Sequence, residues 1–169
     1  MQTISQTRYP TKSQSRQTRW RPALVAALAV GVVLAIGGSF PPGEWFEALV
    51  KPTWQPPAWV FAPVWSVLYA MIAICLGLVL ASPPGKERTL ALWAMGVQLV
   101  LNAAWTPLFF GLQSPLLAFI DIAALWLATV VSIATVSRLS GLGSLLLVPA
   151  LLWVSFALIL NGVIMALNG

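Results

Sequence analysis

Residues 57–81 read PAWVFAPVWSVLYAMIAICLGLVLA, a run without a single charged side chain. A helix that crosses a lipid bilayer needs about 20 mostly apolar residues, so this run is long enough to span one. Pro56 and Pro57 fit the first turn of such a helix, where a missing N–H costs little, whereas Pro63 lies further in and is expected to kink it. The run therefore predicts a transmembrane helix that is bent near its start.

Four more runs of the same kind lie along the chain, at about residues 23–40, 90–110, 115–138 and 142–167. The composition agrees with them, since 59% of the residues are hydrophobic and only 8% are charged, against about 25% charged in soluble domains. We therefore predict an all-α membrane protein, a five-transmembrane-helix bundle over residues 23–169, preceded by a basic disordered tail at residues 1–22.

Positive charges are unevenly distributed between the two sides that these five spans define. Of the nine basic residues, only Lys51 lies on the side of the first loop, residues 41–55; the others lie in the tail, at Lys86 and Arg88, and at Arg138. Loops rich in Lys and Arg stay in the cytoplasm. The pattern predicts a multi-pass integral membrane protein with a cytoplasmic N-terminus and a non-cytoplasmic first loop and C-terminus.

The tail is rich in Gln, Thr, Ser and Arg and contains no acidic residue. A disordered segment that sets topology, an organelle transit peptide and a segment that attaches to anionic lipid heads all have this composition. Nucleic-acid binding is not expected, because no folded recognition module accompanies the charge.

Several classes of site are excluded by the residue types that the chain lacks. It has no histidine, and Cys75 is its one cysteine, so a Cys/His zinc site, an internal disulfide and a histidine-ligated haem are ruled out. We expect no metal and no cofactor, and we expect Cys75 to be a small buried hydrophobe. Asp121 is the single acid inside a span, which is too few titratable groups for a proton relay.

One face of the third span combines amides with aromatic rings. Gln98, Asn102, Trp105 and Phe109 are spaced four, three and four residues apart, which puts them on the same side of a helix. Such a face either forms hydrogen bonds between helices or lines a ligand.

Aromatic side chains are also concentrated at the start of the second span and on one face of the fifth. Among the nine tryptophans, Trp20, Trp45 and Trp93 fit an interfacial belt. The two concentrations consist of Trp54, Trp59, Phe61, Trp65 and Tyr69, and of Trp153 and Phe156 with Asn161 nearby. Flat rings and indole N–H donors suit a planar, apolar ligand with polar edges.

Three blocks of sequence, in order, resemble the translocator protein family, the tryptophan-rich sensory proteins once called peripheral benzodiazepine receptors. The first block is KPTWQPPAWVF at residues 51–61, followed by Val64-Trp65 and Leu68-Tyr69. The second contains Gln98-Leu99, Leu101-Asn102, Trp105 and PLFFG at residues 107–111, with Asp121. The third contains Leu147-Val148-Pro149, Trp153, Phe156-Ala157 and Leu160-Asn161.

The resemblance implies a five-helix bundle whose pocket is closed by the first loop, on the non-cytoplasmic side. It implies a membrane protein that binds or senses tetrapyrroles, such as protoporphyrin IX and haem-like molecules, with membrane lipids as partners and a homodimer as the assembly. The family's pocket residues correspond to Trp54, Trp59, Asn102, Trp105 and Trp153. With their neighbours Phe61, Trp65, Phe109 and Phe156, they form the predicted ligand-binding set.

Two other functions stay open. Light-dependent porphyrin degradation is one, with Trp59 and Trp153 as electron donors, and transport of porphyrins or lipids is the other. Ordinary hydrolytic chemistry is unsupported, because the sequence shows no nucleophile–base pair.

The chain departs from the family at two places. Ala150 stands where the family has a tyrosine after Pro149, so affinity or ligand choice is expected to differ. The segment from Leu160 to Met165 lacks the tyrosine and the following basic residue of the animal cholesterol motif, so no dedicated cholesterol site is predicted there.

Overall fold

The computed structural model of the protein describes residues 20–168, which form five long helices and one short one. The long helices are α1 (Arg21–Gly38), α3 (Phe61–Ala81), α4 (Lys86–Thr106), α5 (Pro115–Val136) and α6 (Gly141–Asn168), and the short one, α2 (Glu44–Ala48), lies in the first loop. All five long helices are long and apolar enough to cross a membrane. The predicted five-helix membrane bundle is thereby confirmed.

The helices bury a core and turn a second apolar surface outward. Ile72, Cys75 and Met95 are almost completely buried in the middle of the bundle, which confirms the expectation for Cys75. Val100 and Leu152 are exposed, as suits residues that face lipid tails rather than water. A bundle that is apolar both inside and outside is stable only when the bilayer is its solvent.

Basic residues gather at the end of the bundle away from the first loop. Helix α1 begins at Arg21, two residues earlier than predicted, and residues 1–19 of the predicted tail lie outside the described part. Lys86 and Arg88, expected in a loop, instead form the first turn of α4. The Arg88 guanidinium donates to the backbone oxygen of Leu80 at 3.0 Å.

The kink predicted at Pro63 is wrong. Ala58–Val60 form a 3₁₀ turn and α3 begins at Phe61, so Pro63 lies in the first turn of the helix. The N–H groups of the first turn have no partner within a helix, and a proline there removes no hydrogen bond.

The loop end of α4 is widened into a π-helical turn, Pro107–Gly111. Pro107 has no N–H to continue the regular ladder, and the N–H of Leu112 instead bonds the Pro107 oxygen five residues back, at 2.8 Å. Gln113 then takes a left-handed backbone conformation with φ of 52°, and the hydroxyl of Ser114 caps α5. This short connection makes α4 and α5 antiparallel neighbours.

Candidate ligand-binding site

The polar and aromatic face of α4 points into the bundle. Gln98, Asn102 and Phe109 are buried and Trp105 is half-buried. The rings of Trp105 and Phe109 stack with centroids 5.0 Å apart and planes at 14°. The helical spacing read from the sequence therefore identified an inward face.

Helix α2 brings the first loop down onto this face. Trp45 and Phe46 meet the edge of Phe109 with centroids 5.6 and 6.1 Å apart, and Phe46 also contacts Phe110 at 5.3 Å. Trp45, expected in an interfacial belt, is therefore part of the cover over the α4 face. The sequence did carry a signal, since Trp45, Phe46 and Leu49 have the spacing of one helical face.

Four predicted ligand-binding residues form a continuous series of rings beside that cover. Trp54 contacts Phe156 at 5.9 Å, Phe156 contacts Trp153 at 5.4 Å, and Trp153 contacts Phe61 at 5.7 Å between centroids. We call these four residues the aromatic cluster. Phe61 and Phe156 also pack on the apolar group that contains Phe109, so the cluster and the α4 face are one surface under the first loop.

Trp65 and Asn102 lie deeper than the aromatic cluster. Trp65 stacks on Tyr69 with centroids 5.2 Å apart, and the Tyr69 hydroxyl donates to Oδ1 of Asn102 at 2.5 Å. Asn102 therefore uses its carbonyl to join α4 to α3.

Trp59 does not join the cluster, and 74% of its surface is exposed. It lies in the middle of the 3₁₀ turn, where three residues per turn put residues 58 and 61 on one side and residue 59 on another. In this structure Trp59 therefore lies outside the candidate site, and of the two predicted electron donors only Trp153 is in it.

Hydrogen bonds hold the frame of the site. The indole Nε1 of Trp105 donates to Oδ1 of Asn161 at 3.2 Å, and Nδ2 of Asn161 donates to the backbone oxygen of Pro115 at 3.0 Å. Asn161 thus ties α4, α5 and α6 together beside the stacked rings of Trp105 and Phe109. Both its amide groups are used inside the protein.

The indole Nε1 of Trp153 is different, because it is buried and has no hydrogen-bond partner among residues 20–168. Oε1 of Gln55, the residue after Trp54, is also buried without a partner in that range. A buried polar group without a partner costs about 1–3 kcal/mol. The candidate site thus contains one free donor in its aromatic wall and one free acceptor in the loop that covers it.

Asp121 and Gln98 lie buried in the bundle, and each has one side-chain oxygen without a partner in the described part of the chain. These two oxygens form no hydrogen bond to the aromatic cluster, and we therefore assign neither residue to the ligand site.

A groove of about 320 Å³ opens elsewhere, between α1 and α3. Its walls are formed by Pro22, Ala23, Ala73, Ile74, Gly77, Leu78 and Ala81, so no side-chain donor or acceptor points into it. Small-molecule sites combine apolar walls with a few directed polar groups. The aromatic cluster, which has both, is the better candidate site.

Comparison with known proteins identifies the family to which the chain belongs. Residues 23–167 match the model of the TspO/MBR family. The chain is 43% identical over 152 residues to the tryptophan-rich protein TspO of Chlorobaculum tepidum, which covers 86% of this chain and 96% of that protein. It is 34% identical over 147 residues to the human translocator protein, covering 84% and 87%.

The tryptophan-rich sensory protein of Cereibacter sphaeroides is 33% identical over 149 residues, covering 88% of this chain and 92% of that protein. The family match extends over the first loop and nearly all of the five spans. The chain therefore belongs to the TspO/MBR family of multi-pass membrane proteins, whose members fit a role in membrane binding and sensing.

Proposed function

We propose that this protein binds and senses a tetrapyrrole, such as protoporphyrin IX, in the aromatic cluster under the first loop. The observation that carries the proposal is the buried indole N–H of Trp153, which has no hydrogen-bond partner among residues 20–168 and has aromatic rings on either side. A porphyrin is a planar apolar ring with carboxylates at its edge, and both parts have a counterpart here. The resemblance to the translocator protein family points to the same ligand class.

Binding requires the first loop to move, because the rings of the cluster contact one another. Trp54 is the one residue of the aromatic cluster that belongs to the first loop, and 47% of its surface is exposed. A planar ligand that inserts between Trp54 and the wall formed by Trp153 and Phe156 replaces their edge contacts with stacking. The Trp153 N–H then donates to a carboxylate or carbonyl oxygen of the ligand, which satisfies a donor that is unsatisfied in the free protein.

The test is a titration of the full-length protein with protoporphyrin IX, followed by quenching of tryptophan fluorescence. Trp153→Phe keeps a six-membered aromatic ring and removes the N–H donor together with the five-membered ring of the indole. A hydrogen bond to a charged group contributes about 1.5–3 kcal/mol, so we expect roughly 10-fold to 100-fold weaker binding. Trp93→Phe is the matched control, since Trp93 is 72% exposed on the outer surface.

Equal affinity in wild type, Trp153→Phe and Trp93→Phe, with equal melting temperatures, would contradict the assignment of Trp153. No binding by the wild type in detergent or in lipid nanodiscs would contradict the tetrapyrrole proposal as a whole.

Light-dependent breakdown of the bound porphyrin is the second candidate function, favoured by the direct ring contacts of Trp153. Illumination of the complex distinguishes it from binding alone. Degradation would be supported if porphyrin absorbance falls in light with the wild-type protein and stays constant with Trp153→Phe. Recovery of intact porphyrin from the illuminated wild-type complex would support binding alone. Appearance of porphyrin inside protein-containing vesicles, and not inside protein-free ones, would instead support transport.

A further inference from the structure

We propose that Asn168, the last described residue of α6, is the latch that holds the first loop closed and thereby sets how fast a ligand enters and leaves. The part about ligand exchange rests on the proposed function. The part about the loop rests only on geometry.

A single amide side chain satisfies both backbone groups of one loop residue. The N–H of Val50 donates to Oδ1 of Asn168 at 2.8 Å, and Nδ2 of Asn168 donates to the oxygen of Val50 at 2.9 Å. The same Nδ2 donates to the oxygen of Ile164 at 2.8 Å, within α6. The bond to Ile164 fixes the amide, so that it meets Val50 as the backbone of a neighbouring β-strand would.

The position of Val50 makes this contact a control point for the loop. On one side of Val50 is α2, whose Trp45 and Phe46 cover Phe109, and on the other side is Trp54, which contacts Phe156. Among the described residues, Asn168 makes the only hydrogen bonds between the first loop and the helices. The first loop is thus held by aromatic contacts on both sides of Val50 and by the side-chain amide of Asn168 at Val50 itself.

The latch is built to open. Val50 and Asn168 are both exposed, so water replaces the two bonds when the loop lifts, and no buried polar group is left without a partner. Asparagine suits the role because its short side chain has a donor and an acceptor side by side. In Asn168→Asp, the carboxylate can still accept from the Val50 N–H, but it has no donor. Its negative charge would lie against the backbone oxygens of Val50 and Ile164.

Hydrogen exchange of the Val50 amide in the ligand-free, full-length protein tests the latch without any ligand. From the usual net contribution of two such bonds to stability, we expect about fivefold to 100-fold faster exchange in Asn168→Ala. Exchange of the Val50 amide is also expected to be faster in Asn168→Asp than in wild type. Leu167→Ala, an exposed position at the same helix end, is the control and is expected to exchange like wild type.

Stopped-flow binding and release of protoporphyrin IX tests the kinetic part. In Asn168→Ala both the association and the dissociation rates are expected to rise by about the same factor as the exchange rate, because the latch is removed from the free and the bound states alike. Unchanged exchange at Val50 would overturn the latch. Faster exchange with unchanged porphyrin rates would overturn its control of access. If wild type binds no porphyrin, the proposed function fails, while exchange at Val50 still decides the latch.

Discussion

The Tyr69 hydroxyl donates its hydrogen bond to Oδ1 of Asn102, across the interface between α3 and α4. Both residues are more than nine-tenths buried. The pair gives Asn102 a structural role, although the sequence placed it in the predicted ligand-binding set. Trp65 stacks on the ring of Tyr69.

We expect Tyr69→Phe to destabilise the bundle without changing ligand affinity, because it leaves Oδ1 of Asn102 buried without a donor. Interhelical hydrogen bonds in membranes contribute about 0.6 kcal/mol on average and up to about 1.7. The measurement is the free energy of unfolding in mixed micelles, with a double-mutant cycle to Asn102→Ala. A large loss of porphyrin affinity with unchanged stability would show that Asn102 and Tyr69 bind the ligand directly.

Gly111 lets the ring of Phe40 lie against the π-helical turn. A Cβ atom at residue 111 would come within 2.9 Å of two ring carbons of Phe40, so Gly111→Ala must displace the ring. Overpacking of this kind costs about 1–3 kcal/mol. Thermal melting of Gly111→Ala in wild-type and Phe40→Ala backgrounds tests this, since the cost is expected to vanish when the ring is absent. An equal cost in both backgrounds would place the strain in the backbone instead.

Ala150 is 2% exposed and belongs to the same core as Leu147 and Cys75, with Trp153 packed against that core. We therefore expect Ala150→Tyr, which would restore the residue typical of the family, to destabilise the protein by at least the about 1–3 kcal/mol typical of overpacking. Leu152→Tyr, at a neighbouring exposed position, is the control for the chemistry of the substitution. A stable Ala150→Tyr protein with altered porphyrin affinity would show that the core can open a place for the ring near Trp153.

Reporter fusions at the two ends of the chain test the predicted orientation. Four basic residues of the described part lie at the end of the bundle away from the first loop: Arg21, Lys86, Arg88 and Arg138. Lys51 lies at the opposite end, in the first loop itself. The positive-inside rule predicts a cytoplasmic N-terminus and a C-terminus on the opposite side. The reverse assignment would contradict the charge argument, and both ends on one side would contradict five spans.

Hydrophobic length was sufficient to predict the spans, and helical spacing was sufficient to predict the inward face of α4. Both depend on regular geometry that repeats along a single helix. Pro63 was misplaced because the start of α3 is irregular: a 3₁₀ turn comes first, and periodicity does not show where it gives way to the α-helix. The same 3₁₀ turn sets the direction of the Trp59 side chain. Periodicity alone therefore could not show that this side chain lies outside the aromatic cluster.

The spacing of Trp45, Phe46 and Leu49 indicates a helical face in the first loop, but where that face packs could not be predicted, because this depends on contacts between distant parts of the chain. Trp45 carries the same composition signal as a belt tryptophan, and only the fold of the first loop brings it to Phe109. Asn168 and Val50 are 118 residues apart, and no local pattern links them. The sequence thus pointed to the four residues of the aromatic cluster, but not to the contacts that hold the first loop over them.

A crystal structure of the protein with protoporphyrin IX tests most directly the claim that the aromatic cluster is the ligand site. We predict that the porphyrin plane lies between Trp54 on the loop and Trp153 and Phe156 on α6, with the Trp153 N–H donating to a ligand oxygen. We also predict that Trp59 and Asn102 make no contact with it. Porphyrin bound in the apolar groove between α1 and α3, with the aromatic cluster unchanged, would contradict the account.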